Sequence, residues 1–159
     1  MAGPRSWWIA RSEHSLVQTV PAPPAVVRDF YVDLDNITAV HPLVTAVNTI
    51  AREETPGGYT QTYRVRDRVP LGPLQIGIAY TATIHVPSGD DPVGDVHTDA
   101  RQFPQVRLTG VVSFVGIDGG TRMTERLVIE APRPLASMTV SQAVHAHVDM
   151  LAGIARRFG

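Results

Sequence analysis

Six strand-like runs follow one another through the middle of the chain, and this repetition constrains the fold more than any other feature. The runs lie between residues 43 and 131, and they are rich in β-branched and aromatic side chains that alternate with polar ones. The segments between them, such as PLGP, PSGDDP and IDGG, supply the Gly, Pro and Asp residues typical of tight reversals. Because short connections join neighbouring strands in opposite directions, the sequence predicts an antiparallel meander.

A strand and two short helices are predicted before this sheet. Residues 13–20, EHSLVQTV, alternate as a strand does, and the PAPP segment ends it because proline cannot donate a hydrogen bond to a neighbouring strand. Pro24 then stands at a favoured helix start, and apolar residues recur at helical spacing from Val26 to Leu34. The segments DLDN and HP indicate where the first helix closes and a second short one ends.

A long helix is predicted after the sheet. From Ala136 to Phe158, the residues of one set recur at alternating spacings of four and three, which places them in a single stripe along a helix. The stripe consists of Val140, Val144, His147, Leu151, Ile154 and Phe158. Because an apolar stripe of this length favours burial, we expect the helix to lie across one face of the sheet.

The composition is that of an ordinary globular chain. Of its 159 residues, 43% are hydrophobic and 18% are charged, and the formal net charge is -1, which argues against disorder and against a basic nucleic-acid-binding surface. All fourteen basic residues are arginine, a bias typical of a GC-rich bacterial genome. The length suits a single domain, which we place at residues 13–159, after an N-terminal arm at residues 1–12 that contains Trp7 and Trp8.

Several classes of chemistry are excluded by what the sequence lacks. Without cysteine the chain has no disulfide, no thiolate nucleophile and no cysteine-ligated metal, and it carries no hydrolase, phosphate-binding or dinucleotide-binding motif. No apolar run approaches a membrane span, so we expect a cytoplasmic protein without an integral membrane segment. Asp95, His97 and Asp99 share a strand face, but an exposed polar surface explains them better than a cation. We therefore predict no metal site and no cofactor.

The order of elements, together with three segments, resembles a known superfamily. The segments are VPAPPAVVRDFYVDLDNITAVHP after the first strand, FVGIDGGTRMTERLVIEAP at the last hairpin and HAHVDMLAGIARRF in the final helix. Over about residues 13–158 the chain is similar to START/Bet v 1-like (SRPBCC) proteins, including polyketide cyclase/dehydrase-type members. The resemblance implies an α+β helix-grip fold, in which a curved antiparallel sheet wraps around a long C-terminal helix. None of the three segments is a catalytic signature.

Strand alternation predicts which side chains face that helix. A single sheet gripping one helix tends to leave space between them, and such a space is the default ligand site. We assign the more apolar alternating set of each strand to the inner face. The assigned residues are Tyr59, Gln61, Tyr63, Val65, Asp67 and Val69; Ile76, Ile78, Tyr80, Ala82, Ile84 and Val86; Leu108, Gly110, Val112 and Phe114; and Met123, Glu125, Leu127 and Ile129.

Gln61, Tyr63 and Tyr80 are therefore candidate polar groups of a ligand-binding cavity. Each belongs to an inner set and carries a hydrogen-bonding group on a body that packs among apolar neighbours. For the two tyrosines, aromatic packing within the core is the alternative interpretation.

Glu125 and His147 stand out as polar residues within apolar sets, and each has two interpretations. A buried carboxylate must be paired, hydrogen-bonded or protonated, so Glu125 either contacts a ligand or is satisfied by a structural partner such as an arginine. A single histidine on an apolar helix stripe is either a ligand contact or a satisfied core residue. If both side chains face the cavity, they form an acid–base or hydrogen-bonding pair. We include both among the predicted ligand-binding residues.

Arg64 and Arg66 separate two functional hypotheses. Both belong to the more polar alternating set of their strand, and whether that set points outward stays open. The resemblance implies that aromatase/cyclases of the superfamily hold and polarise a polyketide chain with arginine and tyrosine groups in the pocket. If both arginines point outward, this chain lacks an obvious counterpart of those groups.

The sequence favours binding of a hydrophobic small molecule, such as a lipid, quinone or polyketide-like compound, between the sheet and the C-terminal helix. A polyketide cyclase or dehydratase that uses the same cavity is the second hypothesis, and a module that binds another macromolecule is the third. The expected partner is thus a hydrophobic ligand and not a nucleic acid. The catalytic residues, the identity of the ligand and the oligomeric state stay open.

Overall fold

The computed structural model describes residues 7–159, which contain seven strands and three helices. The two short helices follow the first strand and the long helix ends the chain, in the predicted order. The elements are β1 (Ile9–Val20), α1 (Pro24–Val32), α2 (Leu34–Val40), β2 (Val44–Thr55), β3 (Gly58–Leu71), β4 (Leu74–Pro87), β5 (Val96–Gln102), β6 (Val106–Ile117), β7 (Gly120–Pro132) and α3 (Arg133–Phe158).

All seven strands form one antiparallel sheet in the order β1-β7-β6-β5-β4-β3-β2. Strands β2 to β7 are joined in sequence, so the predicted meander is confirmed, and β1 adds to its far edge by pairing with β7. Two register shifts interrupt the pairing of β2 with β3, between Val44 and Ala46 and between Thr49 and Ala51. Such irregularities bend a strand and increase its twist, which favours a curved sheet.

Two element boundaries differ from the predicted ones. Strand β1 begins at Ile9 and not at residue 13, because Ile9–Ser12 pair with the end of β7. Helix α3 begins at Arg133 and not at Ala136, since Pro134 lies in the first turn, where its missing N–H costs no helical hydrogen bond. The predicted arm falls partly outside the described residues, which begin at Trp7.

Burial confirms the predicted faces of β3, β6 and β7, whereas the first half of β4 is exposed or half-buried on both faces. On β3, Tyr63, Val65 and Val69 are buried, whereas Arg64 and Arg66 are exposed. The inner sets of β6 and β7 are buried as well, including Gly110, Val112 and Phe114, and Met123, Glu125, Leu127 and Ile129. The alternation of apolar and polar residues therefore identified the side of the sheet that faces the helices.

The core is concentrated around the C-terminal half of α3. That half buries Ala146, Met150, Leu151, Gly153 and Ile154, whereas Val140 and Val144 of the predicted stripe are only partly buried. Phe158 packs edge-on against Phe30 of α1, with ring centroids 5.5 Å apart. Within residues 7–159 no helix combines the length and apolar character that crossing a bilayer requires.

Candidate functional site

A cavity of about 360 Å³ lies between the sheet and the N-terminal half of α3. Its walls come from β3, β4, β5 and β6, from the helix, and from the residues after α2. Most of the lining is aliphatic, including Val69, Ile76, Ile78, Val106, Leu108 and Leu135. The N-terminal half of α3 thus covers open space, whereas its C-terminal half rests on packed side chains.

The cavity opens where the sheet is incomplete. Strand β5 has 7 residues and β4 has 14, and the β4–β5 pairing covers only Thr81 to His85. The first half of β4, from Leu74 to Tyr80, therefore pairs with β3 alone. A short strand beside a long one leaves a gap in the wall, and the exposed cavity-lining residues Ile76 and Phe103 beside this gap mark the entrance.

Exposed apolar side chains surround this entrance. Phe103 in the β5–β6 turn is 90% exposed, and Leu71, Ile76 and Met138 are also exposed although they line the cavity. Leu74 of the β3–β4 hairpin is 65% exposed beside them. The apolar surface inside the cavity is thus continuous with an apolar rim, which is typical of a binding site.

The deep end of the cavity is polar, and its centre is an ion pair between His147 and Glu125. His147 lines the cavity and shares a hydrogen bond between its Nδ1 atom and Glu125 Oε1. The Glu125 side chain is 1% exposed and lies behind the histidine. Burial alone would lower the pKa of His147, but the charge of Glu125 and the hydrogen bond outweigh it and raise that pKa.

His41 lies against this pair. Its surroundings favour the neutral ring, whereas those of His147 favour the protonated ring. It follows α2, and its ring meets the ring of His147 edge-on at a centroid distance of 5.4 Å. The backbone N–H of Leu43 donates to His41 Nδ1 over 3.2 Å. Burial, with a smaller contribution from the charge of His147, lowers the pKa of His41 to about 3, so His41 is neutral at neutral pH.

Asp67 and Tyr80 complete the polar end from two neighbouring strands. Tyr80 is paired with Val65 and Ile78 with Asp67, so the two polar side chains are diagonal neighbours on the inner face. Burial raises the pKa of Asp67 to about 6, although Tyr80 and His147 both act to lower it. Burial, followed by the nearby Asp67 charge, raises the pKa of Tyr80. Asp67 Oδ1 is buried and lacks a hydrogen-bond partner among the described residues.

The structure brings together three of the five predicted ligand-binding residues. Tyr80 and His147 line the cavity, and Glu125 contacts His147 from behind. The alternative that Glu125 pairs with an arginine is therefore wrong, because its partner is a histidine on α3.

Gln61 and Tyr63 lie on the predicted face but away from the cavity. Tyr63 is 4% exposed in the core and its hydroxyl donates to the Val32 carbonyl over 3.3 Å, while burial raises its pKa to about 12. The Gln61 amide donates to Thr49 Oγ1 over 3.4 Å. Alternation determines the face of a strand, but the cavity uses only the far end of β3, near Asp67.

Two polar residues of the cavity, His41 and Asp67, are not among the predicted ligand-binding residues. Asp67 stood in the inner set of β3 between Val65 and Val69, which is the same signal that drew attention to Glu125. His41 stands before Pro42, where the short helices meet the sheet, and that position suits a cap or turn role at least as well as a place at the mouth of a cavity.

Of the three polar residues Asp95, His97 and Asp99, the last is engaged by an arginine. Both oxygens of Asp99 accept hydrogen bonds from Arg107, at 3.1 and 2.9 Å. Within the described part of the chain, no cluster of three or more His, Cys, Asp or Glu side chains is arranged to hold a metal ion.

Several solved structures are similar to this one at low sequence identity. TTHA0849 from Thermus thermophilus is 19% identical, with a TM-score of 0.73 over 92% of this chain and 97% of that one. The Zhui aromatase/cyclase from a Streptomyces species is 16% identical, with a TM-score of 0.64 over 94% of both chains. A START superfamily protein from Mycobacterium smegmatis is 13% identical, with a TM-score of 0.64 over 92% of this chain and 99% of that one. The chain has the helix-grip fold.

The resemblance inferred from the sequence segments is thereby confirmed at the level of architecture. Identities of this size establish a shared fold and leave function to the details of the site. No protein-family model matches the sequence, and no curated protein matches it. The function of this helix-grip chain therefore depends on the residues of its own cavity.

Proposed function

We propose that the protein binds a hydrophobic small molecule, of the lipid, quinone or polyketide-like kind, in the cavity under α3. The single observation that carries this proposal is a cavity of about 360 Å³ with aliphatic walls and one polar end. Its volume lies within the range of about 300–1,000 Å³ that is usual for small-molecule sites. The apolar rim at the entrance gives such a molecule a path inward.

The expected driving force is burial of apolar surface. Each 100 Å² of ligand and cavity surface removed from water contributes about 2.5 kcal/mol, before the costs of association are subtracted. The polar groups at the deep end then orient the molecule, because a buried hydrogen-bonding group left unpaired costs free energy. Two of the similar structures, an aromatase/cyclase and a START superfamily protein, support a ligand cavity in this architecture.

Catalysis in the same cavity is the second candidate, and one observation favours it. A histidine held by a buried carboxylate faces the cavity, and such a pair can serve as a general acid or base. Against a cyclase stand Arg64 and Arg66, which are exposed on the outer face, and no arginine is found among the described residues that line the cavity. Binding without turnover is therefore the better supported function.

The test introduces a large side chain into the cavity from helix α3. Ala143 lines the cavity, so Ala143→Phe should reduce binding of the neutral fluorescent probe N-phenylnaphthylamine by at least about tenfold, which corresponds to about 1.4 kcal/mol. Ser141 lies on the exposed side of the same helix, so Ser141→Phe should bind the probe as the native protein does. Equal binding by all three proteins would place the ligand elsewhere, and absence of binding by all three would refute the proposal.

Native mass spectrometry of the purified protein extends the same test. A co-purified apolar compound, present in the native protein and lost in Ala143→Phe, is the expected result. A cyclase would instead convert the bound compound into an isomer of the same mass, and a dehydratase would convert it into a product lighter by one water.

A further inference from the structure

The polar end of the cavity presents one hydrogen-bond donor and one acceptor to a ligand. Glu125 engages Nδ1 of His147, which leaves Nε2 as the ring nitrogen available to a ligand; in the protonated imidazole, which the pairing with Glu125 favours, Nε2 is a donor. The acceptor is the carboxylate of Asp67, which also lines the cavity. The two groups are close enough for the charge of Asp67 to raise the pKa of His147.

The charges at this end do not cancel. When His147 is protonated, as its raised pKa favours, it and Glu125 compensate each other as a buried ion pair. His41 is neutral at neutral pH, and Tyr80 is a neutral phenol. The carboxylate of Asp67 is therefore left without a cation of its own among the described residues that line the cavity. An anionic group placed here would be repelled, and it would lose its hydration in the process.

Asp67 also has unused capacity to accept hydrogen bonds. A carboxylate has about four acceptor positions. The structure places the Tyr80 hydroxyl near it, yet Oδ1 is buried with no partner among the described residues. Rotation of the carboxylate about its last torsion is soft, so either oxygen can turn toward the cavity. The missing donor is most simply supplied by the molecule that fills the cavity.

We propose that the ligand is an apolar molecule ending in a hydroxyl or phenol group, which donates to Asp67 and accepts from His147, and that anionic head groups are disfavoured. The inference rests on the proposed function and specifies the chemical class of its ligand. A hydroxyl group donates and accepts at the same time, and it thereby satisfies both side chains. A carboxylate or sulfonate cannot donate, and an ether can only accept.

Ionisation of Asp67 should control this preference. Its raised pKa of about 6 means that the carboxylate is charged at about pH 7.5 and largely neutral at about pH 5. The titratable groups that face it are Tyr80 from β4, His147 from α3 and His41 beyond His147. The pKa of His41 is lowered and that of Tyr80 is raised, so neither changes charge between those pH values, whereas His147 can change its charge.

Three probes with one apolar body test the proposal by displacement of N-phenylnaphthylamine from the native protein. They are para-hexylphenol, para-hexylanisole and para-hexylbenzenesulfonate, which carry a donor, no donor and a permanent negative charge. At about pH 7.5 the phenol should bind about tenfold more tightly than the anisole, and the sulfonate should bind most weakly. Equal affinities for phenol and anisole, or tightest binding of the sulfonate, would overturn the proposal without any substitution.

Substitutions then identify Asp67 as the recognising group. Asp67→Ala should bind the phenol no more tightly than the anisole. Asp67→Asn should bind the sulfonate about tenfold more tightly than the native protein does at about pH 7.5. Both variants should bind the anisole as the native protein does. The native protein should gain sulfonate affinity between about pH 7.5 and about pH 5, and Asp67→Asn should gain less, which separates Asp67 from His147. Asp95→Asn, the same charge change at an exposed site, should behave as the native protein.

The outcomes separate this inference from the proposed function. If the anisole and the phenol bind equally and Asp67→Ala changes neither, the cavity binds apolar molecules but the hydroxyl preference is wrong. If none of the three probes displaces N-phenylnaphthylamine, and the native protein does not bind that probe, the proposed function itself fails.

Discussion

At the scale of single residues, the polar end of the cavity depends on the buried pair of Glu125 and His147. Glu125 is almost fully buried, and its one hydrogen-bonded partner among the described residues is His147. Its second oxygen, Oε2, is buried and lacks a partner there. A buried carboxylate in this position is tolerated because the histidine carries a compensating charge. The stability of the fold therefore depends on the protonation state of His147 in this pair.

We predict that Glu125→Gln destabilises the protein by about 1.5–3 kcal/mol near pH ~6, since a hydrogen bond between charged groups is replaced by a neutral one. The pKa of His147 is raised in the folded state, so the protonated histidine contributes stability that is fully present below about pH 6.5. That contribution is lost as the pH rises through the raised value. The difference between native and variant proteins should shrink accordingly in urea titrations at increasing pH.

The matched control for this prediction is Glu13→Gln on β1. Glu13 pairs with Arg11 over 2.7 Å, but both side chains are about half exposed or more. Exposed pairs of this kind contribute about 0–1 kcal/mol, so the control should unfold almost as the native protein does at every pH. Equal effects of the two substitutions would contradict the assignment of Glu125 and His147 as a buried ion pair.

At the scale of elements, helix α3 has two halves with different tasks. Its C-terminal half packs closely, and a Cβ atom added at Gly153 would lie 3.0 Å from Val40 Cβ of α2. Its N-terminal half covers the cavity with Leu135, Met138 and Ala143 and has few buried residues. The hydrophobic effect therefore holds the helix at one end and leaves the other end free to contact a ligand.

We predict that Leu151→Ala costs about 2–5 kcal/mol of unfolding free energy, because Leu151 is 2% exposed and its removal leaves a void in a packed region. Met138→Ala, on the same helix, should cost less than about 0.5 kcal/mol, since Met138 is 40% exposed and already faces open space. Chemical denaturation of both variants measures the contrast. Similar costs at the two positions would show that the helix packs evenly along its length.

At the scale of the whole molecule, the cavity lowers the stability of the fold. Its aliphatic lining, together with exposed residues such as Phe103 and Leu74 at the entrance, leaves apolar surface in contact with water. Compact packing would remove that surface from water. A chain that retains such a cavity should gain stability when the cavity is filled.

We predict that para-hexylphenol at about a hundred times its dissociation constant stabilises the native protein by about 2.7 kcal/mol, as expected for a ligand that binds only the folded state. Ser141→Phe should be stabilised equally, whereas Ala143→Phe should be stabilised at most weakly because the added ring occupies the cavity. Thermal unfolding with and without the compound provides the measurement. A rise in the melting temperature of all three proteins would indicate binding at another site.

Much of the architecture is readable from local pattern. The order of strands and helices, the meander and the inner and outer faces of each strand all follow from periodicity, which depends on residues that are near one another in the chain. The inward position of Tyr80 is an example, whereas the direction of Arg64 and Arg66 on β3 is left open by the sequence and only the structure places both on the exposed face. Boundaries were less exact, as the start of β1 at Ile9 shows, since strand ends depend on the partner strand.

Which residues form the site could be determined only from the tertiary structure. Gln61 and Asp67 belong to the same inner set of β3, but only Asp67 lines the cavity. The position of the cavity along β3 depends on the lengths of the strands and on how α3 packs against them. Glu125 lies on β7 and His147 on α3, and no periodicity within either element specifies the distance between them. Local pattern determines which way a side chain points. The relative placement of separate elements, which is set by the packing of the entire chain, determines what that side chain meets.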